Sequence, residues 1–332
     1  MNRKMIHDVW KVAFSLALGV LILWWMYRGM SWDDLWTALR SEMKWGWLWL
    51  SMPFGILAQV FRALRWRQAL EPVCGRPRLS ASIYAVFVSY ASSLILPRAG
   101  EVLRCAVLKR TDGTPFATSL GTVVTERIID SVFMVLLALF AACIQIKVFM
   151  SFFAETGMSF DALFGRFTAA GWWVTAACLV VLVCFIVFLA RRWAWFSHTT
   201  NLLRNLVDGI LSLRNVKSVP LYLTYSLLIW AAYFLHFYLT FFCFAFTEQL
   251  GWAAAMAAFV TGSFAVIVPT PNGAGPWHFA VKTILVLYGV AEADGVLFVL
   301  IIHSLQTLLV ALLGLYGMGA LAFMRKVPAA TK

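Results

Sequence analysis

The chain is poor in charge. Asp, Glu, Lys and Arg supply 13% of its 332 residues, about half the ~25% usual in soluble domains. Acids are scarcest, 15 against 27 Lys and Arg. Six cysteines (Cys74, Cys105, Cys143, Cys178, Cys184 and Cys243) are scattered without a C-x-x-C pair, so neither a disulfide framework nor a metal site is expected. No Walker A loop, H-E-x-x-H helix, G-x-S-x-G elbow or dinucleotide fingerprint occurs, and no enzymatic activity or cofactor is expected. The formal net charge of +12 has no soluble basic domain to carry it, which argues against a nucleic-acid partner. Membrane sidedness and anionic lipid account for that charge better. The opening MNRKMIHDVWK leads into an apolar run with no small-residue cleavage site and reads as an uncleaved first span.

What the chain has instead is hydrocarbon: 62% hydrophobic residues and a mean hydropathy of +0.82. These values define an all-α polytopic membrane protein. Runs 12–27, 45–61, 116–146, 169–190, 219–246 and 296–324 are each long and apolar enough to be read as full spans, six in all. Two further apolar stretches are interrupted. SSLILPRAGEVLRCAVLKR (92–110) and AVIVPTPNGAGPWHFAV (265–281) share one grammar of apolar run, proline, glycine, polar group and apolar run. Pro and Gly break a helix and free backbone groups that lipid cannot satisfy. The alternatives are two ordinary loops or two re-entrant helical hairpins, at 80–110 and 252–290.

Counting Lys and Arg separates them. With a cytoplasmic N-terminus and two re-entrant hairpins, segments 1–11, 62–79, 97–115, 191–217 and 325–332 lie inside with 20 basic residues. Segments 28–44, 147–168, 247–251 and 291–295 lie outside with five. Full crossings at the first broken stretch would flip everything downstream. The hairpin topology also divides the chain into residues 1–150 and 169–326 as two membrane repeats of opposite orientation, an inverted-topology repeat. Between them, 151–168 is an external interfacial segment. Within the second repeat, 191–217 carries Leu202, Leu206 and Ile210 opposite Arg204, Asp208 and Arg214, an amphipathic cytoplasmic helix.

Charge at membrane depth marks the site. At the first tip a helix starts after Pro97, Arg98 and Gly100, and its free N–H groups suit an anion. Arg98 and Arg104 add positive charge suited to phosphate. Glu101 either stabilises that helix end, pairing with Arg104 at i, i+3, or serves as a ligand. Glu126, Arg127 and Asp130 fall near midplane in the run 116–146. Arg98 or Arg104 is the natural partner of the two acids. Three arginines (98, 104, 127) against three acids (101, 126, 130) sum to zero, so a neutral structural network competes with a substrate site. The second tip offers Pro269, Pro271 and Gly275 as hinges, with Asn272, Gly273 and His278 facing substrate or, for His278, buried in the core. His236, His303 and Gln306 carry less weight.

The signatures ALRWRQAL (63–70), LPRAGEVLR (96–104), TERIID (125–130) and PTPNGAGPWH (269–278) together resemble the flippase-like family named after the transmembrane region of lysylphosphatidylglycerol synthase. Arg62, Arg65 and Trp66 match the motif after the second span. The resemblance implies movement of lipids or lipid-linked glycans between leaflets. It departs at the second tip, where Asn272 stands for a glycine and the family's acid is replaced near His278. The synthase's soluble aminoacyl-transferring domain has no counterpart before Lys332, so synthase activity is not implied. The expected function is translocation of a phosphate-bearing lipid or lipid-linked glycan at a midplane site in a bacterial inner membrane, with both termini cytoplasmic. Its partner is a membrane lipid with an anionic or phosphate-bearing head group. A proton- or sodium-coupled carrier of a small anion, or a non-transporting scaffold, are the other readings.

The topology is testable by thiol labelling. Single cysteines placed in 191–217, in a background lacking the native six, should resist an impermeant thiol reagent in intact cells and react once the membrane is opened. Labelling from outside would refute the hairpin topology.

Overall fold

The computed structural model describes residue 24 and residues 32–94, 99–145, 216–268 and 270–324. Helices run through the described residues, and no strand occurs among them. A short helix α1 (Trp32–Thr37) continues as a π-helical turn, Ala38–Glu42. It is followed by α2 (Trp45–Cys74), α3 (Leu79–Ser92), α4 (Ala99–Asp112) and α5 (Phe116–Ile144). After the undescribed segment come α6 (Val219–Tyr238), α7 (Ala245–Glu248), α8 (Gly251–Ala265), α9 (Pro276–Leu287) and α10 (Glu292–Ala322).

Local chemistry sets the breaks. Gly75 ends α2 at a positive φ of 81° while its N–H reaches the Glu71 carbonyl at 3.2 Å, as glycine does at helix ends. Pro115 precedes α5 with φ −62°, fixed by its ring. Ser218 caps α6 by accepting from the Leu221 N–H at 3.3 Å, with Pro220 in the first turn. Glu101 begins α4, and Lys109 and Arg110 end it, each sign complementing the helix dipole.

Among the described residues, four helices are long and apolar enough to cross a membrane: α2, α5, α10 and the stretch Val219–Cys243 that contains α6. They correspond to four of the six expected spans. The other two, 12–27 (apart from residue 24) and 169–190, lie outside the described residues, as do segment 151–168 and most of 191–217. Helices α3, α4, α8 and α9 are shorter, with 14, 14, 15 and 12 residues. At 1.5 Å per residue each is roughly 18–22 Å long, less than the ~30 Å hydrocarbon core. Contacts join α3 to α4, α8 to α9, α2 to α6, and α10 to both α3 and α9.

One expectation fails in α2. The sequence placed Arg62 and Arg65 in a cytoplasmic loop at 62–79, yet α2 runs unbroken to Cys74 and both are buried. ALRWRQAL is rich in good helix formers and holds no breaker, so the helix continues past the point where apolar character ends.

Two glycines set how closely α4 and α10 approach α3. A Cβ on Gly100 would lie 2.0 Å from the Ser89 carbonyl oxygen, and one on Gly314 2.0 Å from the Ala91 Cβ. Neither the Ser89 backbone nor the Ala91 Cβ can yield at that range, so the close approach of α4 and α10 to α3 at these two points requires glycine. Gly100→Ala should therefore lower the melting temperature measurably. Gly46→Ala, where nothing lies within 4 Å, should leave it unchanged or raise it, since alanine stabilises a helix by roughly 0.5–1 kcal/mol over glycine.

Candidate functional site

The polar side chains of α2, α4 and α5 converge in one buried ion lattice. Arg62 Nη1 donates to Asp130 Oδ2 at 2.8 Å, and Arg65 Nη1 lies 2.7 Å from Asp130 Oδ1. Arg65 Nε lies 3.4 Å from Glu126 Oε1, while Arg104 Nη2 donates to Glu126 Oε2 at 2.6 Å. Arg127 bridges outward, 2.9 Å from Asp130 and 3.2 Å from Glu101. Burial grades along the lattice: the Glu126 side chain is fully buried, whereas those of Arg127 and Glu101 are 41% and 36% exposed.

Aromatic rings and hydroxyls hold the guanidinium planes. Arg104 sits 4.5 Å from the Trp66 ring, and Trp66 Nε1 donates to Thr122 at 3.0 Å. Arg65 lies over Tyr222 and donates to Ser226 Oγ at 3.0 Å. Arg62 lies between Tyr90 and Tyr233, at 5.7 and 5.9 Å, and the two tyrosine hydroxyls bond at 3.1 Å. Cations against ring faces gain most where water is excluded.

One pairing and the charge sum differ from the sequence reading. Glu101 binds Arg127 rather than Arg104, because α5 offers each of them a partner of opposite sign, Arg127 for Glu101 and Glu126 for Arg104. The lattice is also not neutral. Among the described residues, four arginines (62, 65, 104 and 127) face three carboxylates (101, 126 and 130), one positive charge in excess. The zero sum leaves out Arg62 and Arg65, which follow the apolar run 45–61 in an inside segment. Pro97, Arg98 and Pro269 lie outside the described residues.

A cavity of about 420 Å³ opens beside this lattice. Arg62, Arg127 and Asp130 form part of its wall, and Asn272, His303 and Thr307 from the second broken stretch and α10 form another part. Between them stand Gln59, Tyr90, Trp230, Tyr233, His236 and Gln306. Of the expected site residues, Arg62, Arg127, Asp130 and Asn272 line the cavity. Arg65, Arg104 and Glu126 stand behind that wall and hold it through ion pairs. Glu101 reaches it only through Arg127.

At the second tip Asn272 adopts φ 51° and Gly273 φ 71°, left-handed values that asparagine and glycine tolerate. A closed ring of hydrogen bonds pins this turn to α10. Asn272 Nδ2 donates to Thr307 Oγ1 at 2.6 Å, Thr307 faces His303 Nδ1 at 3.4 Å, and His303 Nε2 reaches the Asn272 carbonyl at 3.2 Å. Gly275 donates its N–H to His278 Nδ1 at 3.2 Å, so His278 braces the start of α9, which begins at Pro276 as a turn-pinned helix does. Neither His278, Gly273 nor Gly275 lines the cavity, and Pro271 opens the turn before Asn272.

His303, like His236, lines the cavity, whereas His278 does not. Sequence reasoning gave His303 little weight, along with His236, and made no use of Gln59, Tyr90 or Tyr233. A signal was present: Gly55, Gln59 and Arg62 recur at helical spacing along one face of α2, as do His303, Gln306 and Thr307 along α10. Polar stripes on apolar spans face a bundle interior or a cavity.

The long apolar helices, with a charged lattice enclosed among them, define an integral membrane protein of the helical class. The profile of one family, described as the lysylphosphatidylglycerol synthase TM region, matches residues 12–314, and the chain belongs to that family. No curated protein and no solved structure matches it.

Burial grades the expected cost of removing each acid. Glu126→Gln leaves Arg104 with no carboxylate in a dry site and should destabilise by about 3–5 kcal/mol. Glu101→Gln, half-open to the surroundings, should cost no more than ~1 kcal/mol. Chemical denaturation of the two variants in detergent tests the difference, and equal losses would contradict the burial gradient.

Proposed function

We propose that the protein moves a lipid with a phosphate-bearing head group between membrane leaflets, with the phosphate held at Arg62 and Arg127. The observation that carries this reading is the one positive charge in excess on a lattice that forms part of a cavity wall. An anion entering the cavity would neutralise that charge, and arginine presents paired donors suited to phosphate oxygens. The family's description names a lysyl-phospholipid synthase, which agrees with a lipid as ligand. The reading assigns no catalytic role to any residue.

Two short helical pairs, α3–α4 and α8–α9, fit re-entrant hairpins within a six-span inverted repeat. Each arm is too short to cross, and each pair breaks at a proline- and glycine-bearing tip. The proposed orientation puts both termini in the cytoplasm, the membrane being the bacterial inner membrane. It survives the correction in α2: without Arg62, Arg65 and Arg104, which point into the bundle, 17 basic residues remain inside against five outside. A scaffold needs no cavity with unbalanced charge, which favours transport over that reading. A small-anion carrier shares the charge but not the need for a lipid.

The test compares one arginine variant with the wild type in liposomes. Because the lattice carries one extra arginine, Arg62→Gln leaves three arginines for three acids. Every carboxylate keeps a partner, since Asp130 retains Arg65 and Arg127. Transfer of a fluorescent phospholipid between leaflets should fall at least about tenfold, the scale of one lost charge-assisted contact. The melting temperature should stay close to the wild-type value. Purified protein that moves no labelled lipid yet accumulates a soluble anion would overturn the proposal in favour of the carrier.

A further inference from the structure

The cavity changes chemical character along its length. Arg62, Gln59 and Gly55 occupy one face of α2 over two turns, roughly 10 Å at 1.5 Å per residue. Arg62 marks the charged end. Gly55 marks the other, where a Cβ would meet His236 Nε2 at 3.0 Å, and Gln306 Nε2 approaches the His236 carbonyl at 3.5 Å. The Asn272–Thr307–His303 ring belongs to this same second end.

Among the described residues, Asp130 is the single carboxylate on the cavity wall, and it is already engaged by Arg62, Arg65 and Arg127. The second end offers amides, a hydroxyl and imidazoles, but no counter-charge. Of the neutral side chains on the wall, two present a buried polar atom with no hydrogen-bond partner among the described residues: Gln59 Oε1, an acceptor, and Trp230 Nε1, a donor. A hydroxyl both donates and accepts, and so can satisfy either group. An ammonium can only donate, and in a low-dielectric site it needs an anion beside it.

Resting on the phosphate-lipid reading above, we infer that the ligand's head group beyond its phosphate is uncharged and rich in hydroxyls, and that a cationic aminoacyl head group is disfavoured. The phosphate sits at Arg62 and Arg127. The hydroxyls extend past Gln59 and Trp230 toward Asn272, Gln306 and His303. Tryptophan and tyrosine faces along the path suit the C–H faces of a polyol ring. This separates the chain from a carrier of lysyl-phospholipid, whose amines would meet arginine at one end and neutral groups at the other.

The test is competitive lipid retention by the purified full chain in detergent, read by native mass spectrometry. The probes are phosphatidylinositol and lysyl-phosphatidylglycerol with matched acyl chains at equal concentration. Wild type should retain phosphatidylinositol at least about tenfold over the lysyl lipid, and Asn272→Asp should shrink that ratio about tenfold, the scale of one charge-assisted hydrogen bond. Aspartate tolerates the left-handed backbone there, and Gln306→Glu provides a second, isosteric acid should the turn not accept the first. Arg62→Gln should weaken retention of both lipids together. Equal retention, or a preference for the lysyl lipid, by wild type would overturn the inference. So would an unchanged ratio in a folded variant carrying either acid. If no lipid crosses liposomes, translocation fails while the retention ratio still decides the head group.

Discussion

Desolvated charge is the constraint on which the rest of this structure depends. Three guanidiniums (Arg62, Arg65 and Arg104) and two carboxylates (Glu126 and Asp130) lie buried among the helices, and each ion brought there loses several kcal/mol of solvation. The lattice recovers that loss only through close geometry. Asp130 takes three arginines, Glu126 takes two, and the ring faces of Trp66, Tyr222, Tyr90 and Tyr233 cover the cations. These demands fix the relative register of α2, α4 and α5. They also explain Gly100: Arg104 can reach Glu126 only if α4 lies close against α3, and the missing Cβ permits that approach.

Stability alone does not account for such a lattice. Apolar side chains of similar volume commonly stabilise a core as well as a buried ion network does, or better. What ions provide is position, a small set of allowed geometries for cationic groups beside a cavity. The division of labour follows burial. Arg104 and Glu126 are closed off and hold the frame, whereas Arg62 and Arg127 reach the cavity wall. The neutral hydrogen-bonded ring at the second tip does the same without charge, tying a left-handed turn to α10.

Much of this was legible in the sequence, at the level where local chemistry decides. The membrane class follows from hydropathy, and the breaks follow from Pro and Gly. Glu126 and Asp130 stand out because acids are rare in apolar runs, and Arg104 was one of their expected partners. The reading failed where contacts between distant segments decide. Arg62 and Arg65 follow an apolar run, so hydropathy alone ended the span before them, although the helix runs on. Nothing in α4 itself reveals whether Glu101 pairs within its helix or across to Arg127. His278 stands in the motif and His303 does not, yet packing puts His303 on the cavity wall and sets His278 to brace a helix start.

The sign of the lattice links its structure to its chemistry. A neutral buried network is complete and has no reason to admit a ligand. One with an extra negative charge would favour a cation or a proton. Among the described residues the excess is positive, and Arg62 and Arg127 are the arginines of the lattice that line the cavity, whereas the Arg104–Glu126 pair is dry. An unbalanced cation is tolerable at such a place because water or an anion can solvate it. Burial at the Glu126 end and access at the Arg127 end are therefore parts of one arrangement: the closed pairs hold the framework in register, and that register carries the uncompensated charge to the wall.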